Sequence, residues 1–182
     1  MMRGGVDAAM PIQRLNHAVL YVRDALASAA WYEEVLGFRR IPIGPDGWNG
    51  AVFLQAPGST NDHDLGLFTV GDAAAPSGAG RTSVGLYHLA WEVDTLDELE
   101  RLSGVLSAKG ALVGASDHGT TKSLYAHDPD GIEFEVAWVI PAALLDAEAL
   151  DGRKGIQQLD IAKEKAKFGA DTRGGVGIST PS

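Results

Sequence analysis

The chain has 182 residues, 45% of them apolar, a formal net charge of −9 and no cysteine. That is enough for one ordinary domain, or two small modules sharing a core. Without cysteine there is no disulfide scaffold, thiol nucleophile or zinc-thiolate site. A net-acidic surface repels phosphate backbones, so nucleic acid is not expected as a partner.

In chain order, the start, MMRGGVDAAMP, has one Arg and no apolar core. It does not read as a secretory signal, and residues 1–12 are expected to be disordered or loosely attached. No apolar run approaches the ~20 residues needed to cross a bilayer, so no membrane partner is expected. The cysteine-free composition fits a cytoplasmic protein.

The stretch 15-LNHAVLYVRDALASAAWYEEVLGFRRI-41 reads as a strand, a helix and a second short strand. Asp24 is placed to cap the helix, and Gly37 to end it in a left-handed turn. The runs 50-GAVFLQ-55 and 64-DLGLFTV-70 read as two further strands. Residues 71–85, GDAAAPSGAGRTSVG, have the Gly, Ala, Ser and Pro content of a linker.

The pattern then repeats. In 86-LYHLAWEVDTLDELERLSGVLSAKGALV-113 a strand again has a histidine at its third position. Asp94 stands where a cap would, Leu96, Leu99, Leu102 and Leu106 recur at helical spacing, and Gly110 follows. The runs 122-KSLYAH-127 and 132-IEFEVAW-138 read as the last two strands. His17 and His88 are 71 residues apart, which sets the length of the repeat.

Each half is β-α-β-β-β, and neither can bury its sheet face alone. The expected fold class is therefore α+β: two βαβββ modules, about 13–70 and 85–140, forming a half-open, eight-stranded barrel over residues 13–140. Residues 141–182 form a C-terminal extension, helical over 141–169, that packs on the barrel or on a partner chain. A homo-oligomer is expected.

A single histidine on a strand is ordinarily a core or surface residue. His17 and His88 occupy equivalent places in a repeat, which argues for shared use across a cleft. A carboxylate on the last strand would complete a two-histidine, one-acid set able to hold a divalent metal with one face open. Glu133 and Glu135 both qualify, because a period of two puts them on the same side. Spacing does not choose between them.

These residues carry a resemblance. Leu15-Asn16-His17, Tyr87-His88-Leu89-Ala90-Trp91 and Asp128-Pro129-Asp130-Gly131-Ile132-Glu133-Phe134-Glu135 resemble the vicinal-oxygen-chelate superfamily of glyoxalase I, fosfomycin-resistance transferases, bleomycin-binding proteins and extradiol dioxygenases. The resemblance covers roughly residues 13–139. In that superfamily the acid ligand lies four residues after the glycine of Asp-Pro-x-Gly, which selects Glu135. The run His118, GTTKS, Leu124, Tyr125, AH, Asp128-Pro-Asp-Gly131, IEF, Glu135 matches the signature of the type I extradiol ring-cleaving dioxygenases. Ser116, just before it, is a mild departure. The stretch 61-NDHDLGLF-68 is similar to their Asn-x-His-His stretch, with His63 on the second histidine and Asp62 replacing the first.

The resemblance implies a one-unit extradiol dioxygenase. It would take a small aromatic diol and O2 as substrates and give a ring-opened semialdehyde. Fe(II), alternatively Mn(II), would be held by His17, His88 and Glu135. His63 would take and return a catechol proton, His118 would hydrogen-bond a substrate oxygen, and Tyr125 would donate to the substrate. His127 matches nothing and reads as surface. Trp48, Phe53 and Trp91 are candidate wall residues, though core packing explains them equally well.

Aligning the halves on their final strands sets Gly66 against Glu135, so a fourth protein ligand is missing. A glyoxalase- or epimerase-like lyase or isomerase would need that ligand. A thiol transferase would need a basic pocket, and a non-catalytic binding or resistance protein would not need His63, His118 and Tyr125 together.

Overall fold

The computed structural model describes residues 12, 14–43, 50–80 and 82–175. The first module contains β1 (Ala18–Val22), α1 (Ala25–Leu36), β2 (Arg39–Ile41), β3 (Ala51–Gln55) and β4 (Leu65–Thr69). The second contains β5 (His88–Glu92), α2 (Leu96–Ala108), β6 (Leu112–Asp117), β7 (Thr121–His127) and β8 (Glu133–Val139). Among the described residues the strands form two mixed sheets, ordered β1-β4-β3-β2 and β5-β8-β7-β6-β9, where β9 is Gln157–Gln158. In each module the first strand runs parallel to the last, and the remaining pairs are antiparallel. The fold is the expected α+β pair of βαβββ modules. The first strand of each module ends its sheet, so the sheets do not close into a barrel.

Alternation decides which face is buried. In β1, Leu20 and Val22 are buried, while Val19 and Tyr21 face out. In β8, Phe134, Val136 and Trp138 enter the core of the second module. That core includes all four leucines of α2, Leu96, Leu99, Leu102 and Leu106. The first core gathers Leu20, Val22, Tyr32, Leu54, Leu65 and Leu67. Trp31, Leu36 and Trp91 pack against both cores and join them. Trp31 meets Phe134 edge-on at 5.8 Å, and Phe38 meets Trp91 at 5.1 Å.

The helix ends follow local chemistry. Asp24 accepts from the backbone N–H of Leu26 and Ala27, as its position predicts. Gly37 closes α1 with φ +72°, its N–H donating to Glu33 O while the Phe38 N–H donates to Tyr32 O. On α2 the cap is Thr95, whose Oγ1 accepts from Glu98 N, and Asp94 stands one residue too early. The Asp94 carbonyl instead accepts from Gly174 N, and its carboxylate faces Arg173 at 3.5 Å.

The Asp-Pro-Asp-Gly turn before β8 fastens the two modules together. Asp128 Oδ1 accepts from the backbone N–H of Asp130 and Ile132, and its Oδ2 accepts from Tyr32 OH of α1. Asp130 pairs with Arg23 at 2.6 Å and accepts from Ser28 Oγ.

The extension is less helical than its composition suggests. A 3-10 turn (Ala142–Leu144) leads to α3 (Ala147–Gly152), then β9, then α4 (Ile161–Phe168). β9 pairs with β6 and gives the second sheet its fifth strand. Trp138 is fully buried beneath this segment, with its indole N–H donating to Thr172 O.

Candidate metal and active site

Strand register puts three of the six predicted site residues, His88, Tyr125 and Glu135, on one face of the second sheet. β5 and β8 pair His88 with Glu133 and Ala90 with Glu135, while β7 and β8 pair Tyr125 with Glu135 and His127 with Glu133. All these side chains alternate away from the core-facing Phe134, Val136 and Leu124.

His88 Nε2 lies 3.1 Å from Glu135 Oε2, and the Glu135 side chain is only 13% exposed. Its other oxygen, Oε1, accepts from Ser123 Oγ at 2.5 Å. Glu133 stands further back, 3.9 Å from His88 Nδ1 and 3.7 Å from His127 Nε2. The geometry thus favours Glu135 over Glu133 as the acid paired with His88 Nε2. Ser123 carried no motif of its own. The signal was its place two residues before Tyr125 on an alternating strand.

His118 Nε2 lies 2.9 Å from Tyr125 OH, and the His88 and Tyr125 rings are 5.6 Å apart. The two pairs are therefore contiguous. Burial, then the Glu135 charge, pushes the Tyr125 phenol up to about 12, so it stays protonated at neutral pH.

The first module contributes a second group. His17 immediately precedes β1, with Nδ1 2.7 Å from Asn16 Oδ1. Its ring lies 4.5 Å from that of His63. His63 Nδ1 is 3.0 Å from Asp62 Oδ2, and Phe53 meets the His63 ring edge-on at 5.1 Å. Asn61 braces this loop by donating to Asn16 O and Asp64 Oδ1.

The two halves can be compared residue by residue. Val19, two residues after His17, pairs with Gly66, and Ala90, two residues after His88, pairs with Glu135. Gly66 is thus the counterpart of Glu135. By the same reasoning Phe53, paired with Gly66, is the counterpart of Tyr125. A Cβ at Gly66 would lie 3.4 Å from both the Phe53 ring and Val19 Cγ2.

The structure therefore forms three pairs: His88 with Glu135, His118 with Tyr125, and His17 with His63. Ligands at ~2.1 Å from an ion sit ~3 Å from their neighbours, so the 3.1 Å His88–Glu135 separation fits two positions on one ion. Among the described residues no three His, Cys, Asp or Glu side chains are grouped closely enough to hold a metal ion. His17 is engaged with Asn16 and His63 instead. Of the candidate wall residues, Phe53 reaches the site through His63, Trp91 lies between the two cores, and Trp48 falls outside the described residues.

The family model of the Glyoxalase/Bleomycin resistance protein/Dioxygenase superfamily matches residues 14–136. The chain belongs to this superfamily. Within the superfamily, it is 34% identical over 119 residues to biphenyl-2,3-diol 1,2-dioxygenase 3 of Rhodococcus globerulus, covering 65% of this chain and 59% of that one. It is 27% identical over 169 residues to biphenyl-2,3-diol 1,2-dioxygenase of Paraburkholderia xenovorans (strain LB400), covering 85% and 53%. The chain thus spans somewhat more than half the length of these two relatives. Among solved structures, a glyoxylase/bleomycin resistance protein/dioxygenase domain from Frankia sp. EAN1pec superposes with a TM-score of 0.56 at 25% identity, over 69% of this chain and 91% of that one. No helix among the described residues is long and apolar enough to cross a membrane.

Proposed function

We propose that this chain is an extradiol dioxygenase that opens the ring of a catechol-type aromatic with O2, using Fe(II), or Mn(II) in its place, held by His88, Glu135 and His17. The observation that carries the reading is the His88–Glu135 pair at 3.1 Å with the His118–Tyr125 hydrogen bond beside it on one sheet face. The names of the two curated relatives support it. His17 is engaged with Asn16 and His63 in this structure, and its place in the set rests on the repeat and on the resemblance.

The bound ion would supply a common point of attachment for diol and O2 and favour the deprotonated diol. The protein's own groups divide the rest. Tyr125 keeps its proton and donates a hydrogen bond to a substrate oxygen. His118, hydrogen-bonded to Tyr125, fixes the direction of that donor. His63 has Nδ1 toward Asp62, which leaves Nε2 free to take a diol proton and return it. Gly66 where the other half has Glu135 weakens the rival glyoxalase-type reading, which needs a fourth ligand there.

The test is anaerobic loading with Fe(II), followed by a panel of catechols and admission of air. Coloured ring-fission product with matching O2 uptake is the expected result. Turnover of a 2-oxoaldehyde with Ni(II) or Zn(II), and of no catechol, would transfer the assignment to a lyase or isomerase. His63→Ala should retain iron and slow turnover by ~10²-fold or more. Loss of iron instead would make His63 a ligand rather than a base.

A further inference from the structure

The superfamily match ends at residue 136, yet the chain beyond it converges on one small feature, the turn that joins β6 to β7. Three separate contacts meet there. β9 pairs with the end of β6, Ser116 with Gln158 and Asp117 with Gln157. The end of α3 presses backbone to backbone on Gly119, which has φ +78°. A Cβ there would lie 2.7 Å from both Arg153 N and the Gly152 carbonyl carbon. From α4, Glu164 Oε2 lies 3.0 Å from Lys122 Nζ, with these side chains 5% and 4% exposed. Lys122 also pairs at 2.6 Å with Asp117 Oδ1, which accepts from Gly119 N. A buried ion pair is costly to leave half-made, so α4, Lys122 and Asp117 hold one arrangement.

The residue inside this frame is His118. Its backbone N–H donates to Thr121 O across the turn, and its ring reaches Tyr125 OH. We propose that α3, β9 and Glu164 of α4 are a clamp that positions His118 against Tyr125, so that a segment outside the superfamily match sets the geometry of the site. The catalytic importance of His118 rests on the dioxygenase reading. The clamp does not.

The test compares Glu164→Gln, which keeps the volume and removes the charge, with Lys165→Ala. Lys165 is on the same helix, and its ion pairs run to Asp97 and Glu100 of α2, outside the clamp. In the full-length protein, NMR would follow the His118 ring nitrogens and hydrogen exchange of the Gly119 amide. Glu164→Gln should shift the His118 signals and speed Gly119 exchange by about tenfold or more, while Lys165→Ala changes neither. Gly152→Ala, which would crowd Gly119 Cα at 2.9 Å, should act like Glu164→Gln and serves if that variant does not fold. Folded Glu164→Gln with unchanged His118 and Gly119 signals would overturn the clamp, as would an equal response to Lys165→Ala. These readouts need no turnover, so an inactive protein with these responses would sink the dioxygenase reading alone. Where a catechol is turned over, Glu164→Gln should lower kcat with Fe(II) affinity unchanged.

Discussion

Glu135 divides its two oxygens between two partners, Ser123 Oγ on one side and His88 Nε2 on the other. The hydroxyl fixes the carboxylate plane, so Oε2 has a defined direction before any ion arrives. Such orienting partners typically contribute 10–100-fold to metal affinity. Ser123→Ala should therefore weaken Fe(II) or Co(II) binding by about that factor while leaving the melting curve close to wild type. Glu135→Ala should abolish binding. Anaerobic metal titration with circular dichroism checks both, and equal affinities in Ser123→Ala would remove Ser123 from the site. At this scale His88 is marked in the sequence by its repeat partner His17, and Glu135 by the resemblance, which places the acid four residues after Gly131. The His17 side chain was not legible in orientation. Its direction depends on Asn16 Oδ1 and the His63 ring, contacts that leave no periodic trace in the sequence.

The strands follow from alternation and α2 from leucine spacing, and the register then carried His88, Tyr125 and Glu135 to one face of the second sheet. Where the sequence misled, the cause was a competition one or two residues wide. Asp94 and Thr95 both suit an N-cap, and the hydroxyl won because Thr95 Oγ1 is placed to accept from Glu98 N. Thr95→Ala and Asp24→Ala should each cost about 1 kcal/mol in urea unfolding, and Asp94→Ala measurably less. An Asp94 variant as damaging as the Thr95 one would reverse the assignment. β9 escaped because two polar residues show no period. It exists because the outer edge of β6 offers unpaired backbone groups for the extension to cover.

Across the whole molecule, the modules are joined through an acid in a dry place. Asp128 is 5% exposed and accepts from Asp130 N, Ile132 N and Tyr32 OH. Burial raises its pKa above the ordinary aspartate value, and the backbone and Tyr32 donors only partly oppose this. The same burial, with the Asp128 charge beside it, holds the Tyr32 phenol well above its usual range. A raised carboxyl pKa means the folded chain binds a proton that the unfolded chain has already released. Stability from this group is fully present below the unfolded value and is lost as pH rises through the folded one. At neutral pH the ionised Asp128 is thus a net cost, offset by the geometry its oxygens impose. Asn at this position keeps an oxygen for the two backbone N–H groups, can donate to the Tyr32 oxygen, and carries no charge. Asp128→Asn should therefore be at least as stable as wild type at neutral pH, with its advantage shrinking as pH falls through the Asp128 titration. Asp128→Ala strands the two N–H groups and should lose ~1–3 kcal/mol at both ends of that range. Urea unfolding of the three proteins from mildly acidic to neutral pH decides the matter. If Asn proves as damaging as Ala at neutral pH, the negative charge itself holds the modules together.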